Sequence, residues 1–389
     1  MTAPSFNAKP RPLRQRGFGL IEVMVGILIG LAAVIVMMRL MLDSDTARRA
    51  TAGGNDALLN ATVALYGLER DVRSSGYGVN AFAILGCSLS YTSTQDSATV
   101  SLPLAPATIN PATSLVPAGD SNTDTLLVVA TSTNGSSEGD ALITTSVAGT
   151  YQVTSPGSFA VGDYVVAQNS TRPSPCTLPL NKVSAIDSST AKLTVANNTV
   201  GLGAGSLVFN LGKALSIHAY AVRNGNLTQC DYLRYNCGSS SYTSSLDSTV
   251  WVPVASNVVA LRAQYGRDTS TVLMDGTLDT YDQTTPGGSA DTSDLNLYCA
   301  WSRVLTLRMA VIARSPQYDK TLPTSSAPVW DGSTVSTSAP TNPSAAPIVL
   351  SGLTDWTAYR YRQASTVVPL RDMIWSGSQI NYQGGTTGC

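Results

Sequence analysis

The sequence predicts an α+β protein: one long amino-terminal helix laid against a mainly antiparallel β-sheet domain with long loops. Three observations predict it. From Phe18 to Met38 the chain is apolar for twenty-one residues, with Glu22 the sole ionisable group. An apolar stripe then recurs at helical spacing through Leu58, Ala61, Leu65, Leu68 and Val72. Beyond Gly76 the pattern changes to short alternating or apolar runs, separated by stretches rich in Ser, Thr, Gly and Pro.

The first element is a leader, residues 1–17, which carries Lys9, Arg11, Arg14 and Arg16 and no acid. The apolar run behind it reaches roughly 31 Å as a helix, about the thickness of a bilayer's hydrocarbon core. A secretory signal peptide has a shorter core and is cut after it, whereas here Gly17 stands before a run of spanning length. A segment at 18–42 is therefore expected to span the membrane, its basic flank inside and all that follows outside. A plain signal anchor shares these features. Glu22 alone does not exclude it, but a carboxylate within a span costs on the order of 2.5–3.5 kcal/mol on insertion scales and marks a candidate functional site. Gly26 and Gly30 form a G-x-x-x-G within the run, followed by Ala32 and Ala33. Small residues at that spacing let helix backbones approach closely, which makes the two glycines candidate packing sites.

The second half of the helix, 43–76, is expected to be amphipathic and to lie against a sheet. Gly53-Gly54 predicts a kink or loosened turn, at about 1 kcal/mol per Gly relative to Ala, and Gly76-Tyr77-Gly78 ends the element. The remainder, 77–389, reads as a β-rich domain outside the cytoplasm. Strands are expected at Thr125–Ala130, Gln152–Thr154, Tyr164–Gln168, Lys192–Ala196 and Leu207–Asn210. Leu215–Arg223, Asn257–Tyr265, Trp301–Ala313 and Thr366–Leu370 complete the set. Leu215–Arg223 alternates as a half-buried strand, with His218 on its more polar face, and Asn224-Gly225 turns it into Asn226–Gln229. Ser88–Ser121, Ser132–Ser137 and the Pro-rich Ser315–Pro347 are expected to be loops with little to bury.

Composition narrows the chemistry. Charged residues are 13% of the chain and the formal net charge is −1, so nothing points to nucleic acid, and no basic aromatic patch is present. Cys87, Cys176, Cys230, Cys237, Cys299 and Cys389 form an even set that can pair in any of about 15 ways outside the cytoplasm. Cys230 and Cys237 are close enough to close a small surface loop. With one His and no C-x-x-C, no structural metal site is expected. No G-x-S-x-G or H-E-x-x-H occurs, so no catalytic residue is assigned. Gly201-Leu202-Gly203-Ala204-Gly205 precedes a strand, which makes it a turn and not a phosphate cradle. Asp268, Asp275, Asp279 and Asp282 cluster in a polar loop without the spacing of an EF-hand, and no cofactor is expected.

Arg16-Gly17-Phe18-Gly19-Leu20-Ile21-Glu22 resembles the processing site of type IV prepilins. Pro253–Asp268, with Val258, Leu261 and Tyr265-Gly266, resembles a segment of PilW-type minor pilins. So do Trp301–Ser315 and the terminal stretch from Tyr359-Arg360-Tyr361-Arg362 to Arg371-Asp372. Gly19 replaces a common Ser or Thr, the leader is long, Asp372 replaces an Asn, and Arg39 stands where major pilins often carry a Pro.

The resemblance implies a pilin-like fold, cleavage after Gly17 by a prepilin peptidase and methylation of Phe18. It also implies that Glu22 neutralises the amino terminus of a neighbouring subunit. The chain would then lie in the inner membrane before assembly and at the pilus tip afterwards. There it would prime assembly with other minor pilins, the major pilin and an adhesin. A type II secretion pseudopilin shares the amino-terminal motif and is the alternative, although those chains are generally smaller and lack the terminal signature.

Overall fold

A computed structural model describes residues 17, 19–133, 135–169, 171–242, 248–270, 274–287 and 294–377. Helix α1 runs Leu20–Arg73, and the chain divides into two compact units, Met1–Ala52 and Gly53–Cys389. In the first unit every apolar side chain from Leu20 to Leu42 is exposed. Its most apolar window has a mean hydropathy of 2.7, and α1 is long and apolar enough to cross a membrane. The architecture is α+β, as the patterning predicts.

In the second unit, two antiparallel sheets share one face of α1. The first is a five-stranded sheet in the order β14-β13-β12-β4-β3. These strands are β3 (Ala107–Ile109), β4 (Leu126–Ala130), β12 (Ser216–Arg223), β13 (Asn226–Asp231) and β14 (Val252–Ser256). The second is a four-stranded sheet in the order β16-β15-β17-β18, made of β15 (Val258–Arg267), β16 (Thr280–Asp282), β17 (Val304–Arg314) and β18 (Tyr361–Pro369). Ala61, Ala64, Leu65, Leu68 and Val72 of α1 meet Val128, Tyr220, Leu261, Tyr265, Leu307 and Met309 in a single core. The predicted stripe thus faces the core, except Leu58, which is exposed.

The expected break at Gly53-Gly54 does not occur: α1 is continuous, and both glycines are buried. They are there for close approach. A Cβ at Gly53 would sit 3.2 Å from Ser315 Cβ, and one at Gly54 would sit 3.4 Å from Arg362 Nη2.

Behind the five-stranded sheet lies a second core, containing Ile217, Ala219 and Ala221 together with Leu89, Leu102 and Phe209. β12 is therefore buried on both faces, not half-buried as its alternation suggested, because its polar-looking face lies under α1. Ser88–Ser121, expected as loop, instead supplies β3 and two strands of a three-stranded sheet ordered β2-β1-β8. These are β1 (Ser88–Thr92), β2 (Thr99–Pro103) and β8 (Thr177–Pro179). Leu89, Val100 and Leu102 provide the buried face that the surrounding Ser and Thr disguise.

A six-stranded sheet, β5-β11-β7-β9-β10-β6, closes over a third core of its own around Tyr151, Val165, Leu193 and Val208. Its strands are β5 (Asp140–Ala141), β6 (Thr150–Gln152), β7 (Tyr164–Gln168), β9 (Asn181–Asp187), β10 (Lys192–Val195) and β11 (Leu207–Gly212).

The Pro-rich Ser315–Pro347 is irregular, yet it buries more than its composition suggests. Trp330 and Ala346, with Ile348 and Leu350, cover Ala310 and Ile312 on the outer face of β17. Arg308 stands on that face with its guanidinium 3.6 Å from the Tyr281 ring centroid and 5.3 Å from that of Trp330, and it donates to Gln264 Oε1. Val304 joins the helix-side core with Leu307 and Met309, where a bulge shifts the β15–β17 register at Gly266/Arg267.

Trp301 belongs to helix α2 (Asp294–Ser302), not to the strand after it, and α3 (Arg371–Gly377) follows β18. Disulfides join Cys87 to Cys176 and Cys230 to Cys237. The Cys230–Cys237 bridge is fully buried, so it closes a small loop within the core and not on the surface. Cys299 is disulfide-bonded as well, and Cys389 lies outside the described residues.

Candidate functional site

The amino-terminal turn of α1 holds the residues that the sequence singles out. Gly17 is exposed with nothing within 4 Å of a Cβ built on it, and Phe18 lies outside the described residues. The carbonyl of Gly19 accepts from Glu22 N at 2.9 Å and Val23 N at 3.2 Å, which makes Gly19 the N-cap. Glu22 is then the third helical residue, and its Oε2 accepts from Gly19 N at 3.4 Å. This is the reciprocal half of a capping box, in which the side chain satisfies one of the helix's orphan N–H groups. A negative charge there also lies at the positive end of the helix dipole. Sequence reasoning missed it because Gly19 lacks the Ser or Thr hydroxyl that usually signals the motif. Gly26 and Gly30 have open space where a Cβ would stand, so both are available for close contact along an exposed face.

A second polar group fixes the other end of α1. Asp71 Oδ2 lies 2.6 Å from His218 Nδ1 and accepts from Tyr220 Oη at 2.6 Å. His218 is therefore hydrogen-bonded, as its place on the polar face suggests. Its partner Asp71 was not legible, since it lies off the apolar stripe. Burial pushes the Asp71 carboxyl up, but the hydrogen bonds from His218 and Tyr220, with the charges of His218 and Arg70, hold it below the ordinary carboxylate value. The folded state then releases the proton more readily than the unfolded chain. Its stabilisation is complete above the unfolded value, about 3.9, and fades as pH falls through the folded value. Asp71→Asn should accordingly lose less stability between pH 7 and pH 3 than the parent does, measured by urea unfolding at both pH values. An unchanged pH dependence would show that the carboxylate does not report on folding.

The aspartates of the polar loop are structural anchors. Asp268 accepts from Ser270 N at 2.9 Å and Gly276 N at 2.8 Å and pairs with Arg303 at 3.4 Å. Asp279 accepts from Thr269 N at 2.7 Å, Asp275 from Thr277 N at 2.7 Å, and Asp282 pairs with Arg267 at 2.9 Å. Each carboxylate already has its own donor. Among the described residues no three His, Cys, Asp or Glu gather as metal ligands.

Residues 12–38 match the family model of the prokaryotic N-terminal methylation motif. Residues 220–372 match that of type IV pilus-assembly protein W. Together these two matches support a PilW-like type IV pilin. Comparison with curated proteins and with solved structures returns no match. The PilW span encloses all three carboxy-terminal segments on which the resemblance rests. In the fold it takes β12 from Tyr220, the β13–β14 edge, the whole four-stranded sheet and the start of α3. That is most of the framework under the amphipathic half of α1. The three- and six-stranded sheets lie outside it. Both matched families describe pilus components, and the methylation motif points to processing by a prepilin peptidase and assembly with other pilus subunits.

Proposed function

We propose that this PilW-like chain is a minor pilin that helps to prime pilus assembly and sits at the tip with other minor pilins and an adhesin. It has no catalytic task in this reading. Residues 1–17 are the leader removed after Gly17, 18–42 the inner-membrane span and later filament core, and 43–76 the amphipathic half. Residues 77–389 form the domain carried outside. The observation that carries the proposal is Glu22, a carboxylate on an otherwise apolar, fully exposed helix segment, turned back to the helix start.

Cleavage at Gly17-Phe18 would leave a new ammonium within a turn of that carboxylate. Unpaired, each charge costs several kcal/mol in an apolar filament core, and pairing recovers much of it. Gly26 and Gly30 allow neighbouring helices to approach closely enough for a carboxylate of one subunit to reach the amino terminus of the next.

Glu22→Ala should leave cleavage intact, because it lies beyond the scissile bond. Its incorporation into sheared pili should fall at least tenfold, since each 1.4 kcal/mol of lost pairing is a factor of ten. Immunoblots of pili against membranes measure this. Normal recruitment of cleaved Glu22→Ala into pili would sink the charge-pairing account.

A further inference from the structure

The part of the chain outside both family matches, joined by Leu233 from within the PilW span, lines a cleft of about 340 Å³ between the three-stranded and six-stranded sheets. Small-molecule sites span about 300–1,000 Å³, so the volume suits a compact ligand. Six side chains give the cleft its chemistry: Tyr91 from β1, Thr94 after it, Thr99 from β2, Tyr164 from β7, Lys182 from β9 and Asn197 beyond β10.

Tyr91 is fixed by the hydrogen bond from its hydroxyl to Tyr232 O at 3.1 Å, which leaves its ring as wall. Lys182 Nζ rests 5.1 Å from the Tyr164 ring centroid and has no acceptor among the described residues. The hydroxyls of Thr94, Thr99 and Tyr164 and the side-chain amide of Asn197 have no hydrogen-bond partner among the described residues either. Among the described residues no acid side chain lines the cleft. Asp231, whose charge the two tyrosines feel, stands outside the wall with Oδ1 accepting from Leu233 N at 3.0 Å. The Cys87–Cys176 disulfide ties the chain entering β1 to the chain entering β8, so the walls are set before any ligand arrives.

We propose that this cleft binds an acidic saccharide: a sugar whose carboxylate pairs with Lys182, whose hydroxyls meet Thr94, Thr99 and Asn197, and whose C–H face packs on the tyrosines. Aromatic walls with unpartnered hydroxyl and amide groups suit a ring that is apolar on its faces and hydroxylated at its edge. The lone ammonium, with no carboxylate beside it, selects the acidic form over the neutral one. A peptide strand would instead need a row of backbone partners, which these side-chain groups do not supply.

The test uses the full chain in a zwitterionic, sugar-free detergent, with trigalacturonate and neutral trigalactose as probes, followed by calorimetry and saturation-transfer NMR. Trigalacturonate should bind at least tenfold more tightly than trigalactose, the scale of one charge-assisted hydrogen bond. K182Q should remove that advantage, and N197A should weaken both sugars. K192Q, exposed on β10 outside the cleft, should change neither. Lys182 and Asn197 are both exposed, so the variants should unfold at the parent's temperature, which thermal unfolding checks. The assignment is overturned by absence of binding to both sugars, by equal affinity for the two, or by a K192Q effect as large as that of K182Q.

Discussion

Gly17→Val should leave the leader attached to every molecule and abolish pili that depend on this subunit. In the proposed processing the bond after Gly17 enters a peptidase site, and a branched side chain at the scissile residue would obstruct that approach. Gly17 lies outside α1, is exposed and has no neighbour within 4 Å of its Cβ direction, so the substitution costs the fold nothing. Any loss is then a loss of processing. The consequence is large because the uncut chain keeps Lys9, Arg11, Arg14 and Arg16 joined to the apolar helix. A charged side chain at the centre of an apolar layer costs on the order of 2.5–3.5 kcal/mol even on the mildest scales, and four of them bar entry to a filament core. Mass spectrometry of the amino terminus, beside a count of pili per cell, reads both steps. Pili made by cells whose subunit still begins at Met1 would disprove the processing assignment.

How much of this was legible in the sequence depends on which interactions are periodic. The α1 stripe and strands such as Tyr164–Gln168, which the structure reproduces residue for residue, announce themselves through spacing. Three kinds of feature do not. Short strands hidden in Ser- and Thr-rich chain, such as β1 and β2, carry only one or two buried residues each and read as loop. Paired glycines can mean freedom or crowding, and at Gly53-Gly54 the crowding by Ser315 and Arg362, far along the chain, decides. Polar partners across the fold, such as Asp71 with His218, are separated by 147 residues and share no local pattern. At the amino-terminal site Gly17, Phe18 and Glu22 could be named from the motif. The cap that Glu22 makes on Gly19 could not, because it needs the helix to begin at Leu20.

The largest stability effect is expected at Asp124, which the sequence did not single out. Its carboxylate lies where the turn between β3 and β4 meets β15, and it is 5% exposed. Oδ1 accepts from Asn110 Nδ2 at 3.0 Å and from Arg262 Nη1 at 3.2 Å. Oδ2 accepts from Ala263 N at 3.0 Å and from Gln283 Nε2 at 2.8 Å. Four donors from three parts of the chain thus converge on one side chain, and they join the five-stranded sheet to the four-stranded one beneath α1. Asp124→Ala would leave the nearly buried Arg262 guanidinium without its counter-charge and strand three neutral donors. Breaking one partner of a buried pair costs about 3–5 kcal/mol, a large share of the roughly 5–15 kcal/mol that holds a domain folded. Asp124→Asn keeps an acceptor and should cost less, about 1.5–3 kcal/mol. Replacing Arg262 by Met in the Asp124→Ala background removes the stranded charge, so the double variant should be more stable than Asp124→Ala alone. Urea unfolding of the four chains tests the order. If Asp124→Ala shifts stability by less than about 1 kcal/mol, the carboxylate is not the joint between the sheets. If the order holds, the amphipathic half of α1 owes its bed to a single buried carboxylate as well as to its apolar stripe.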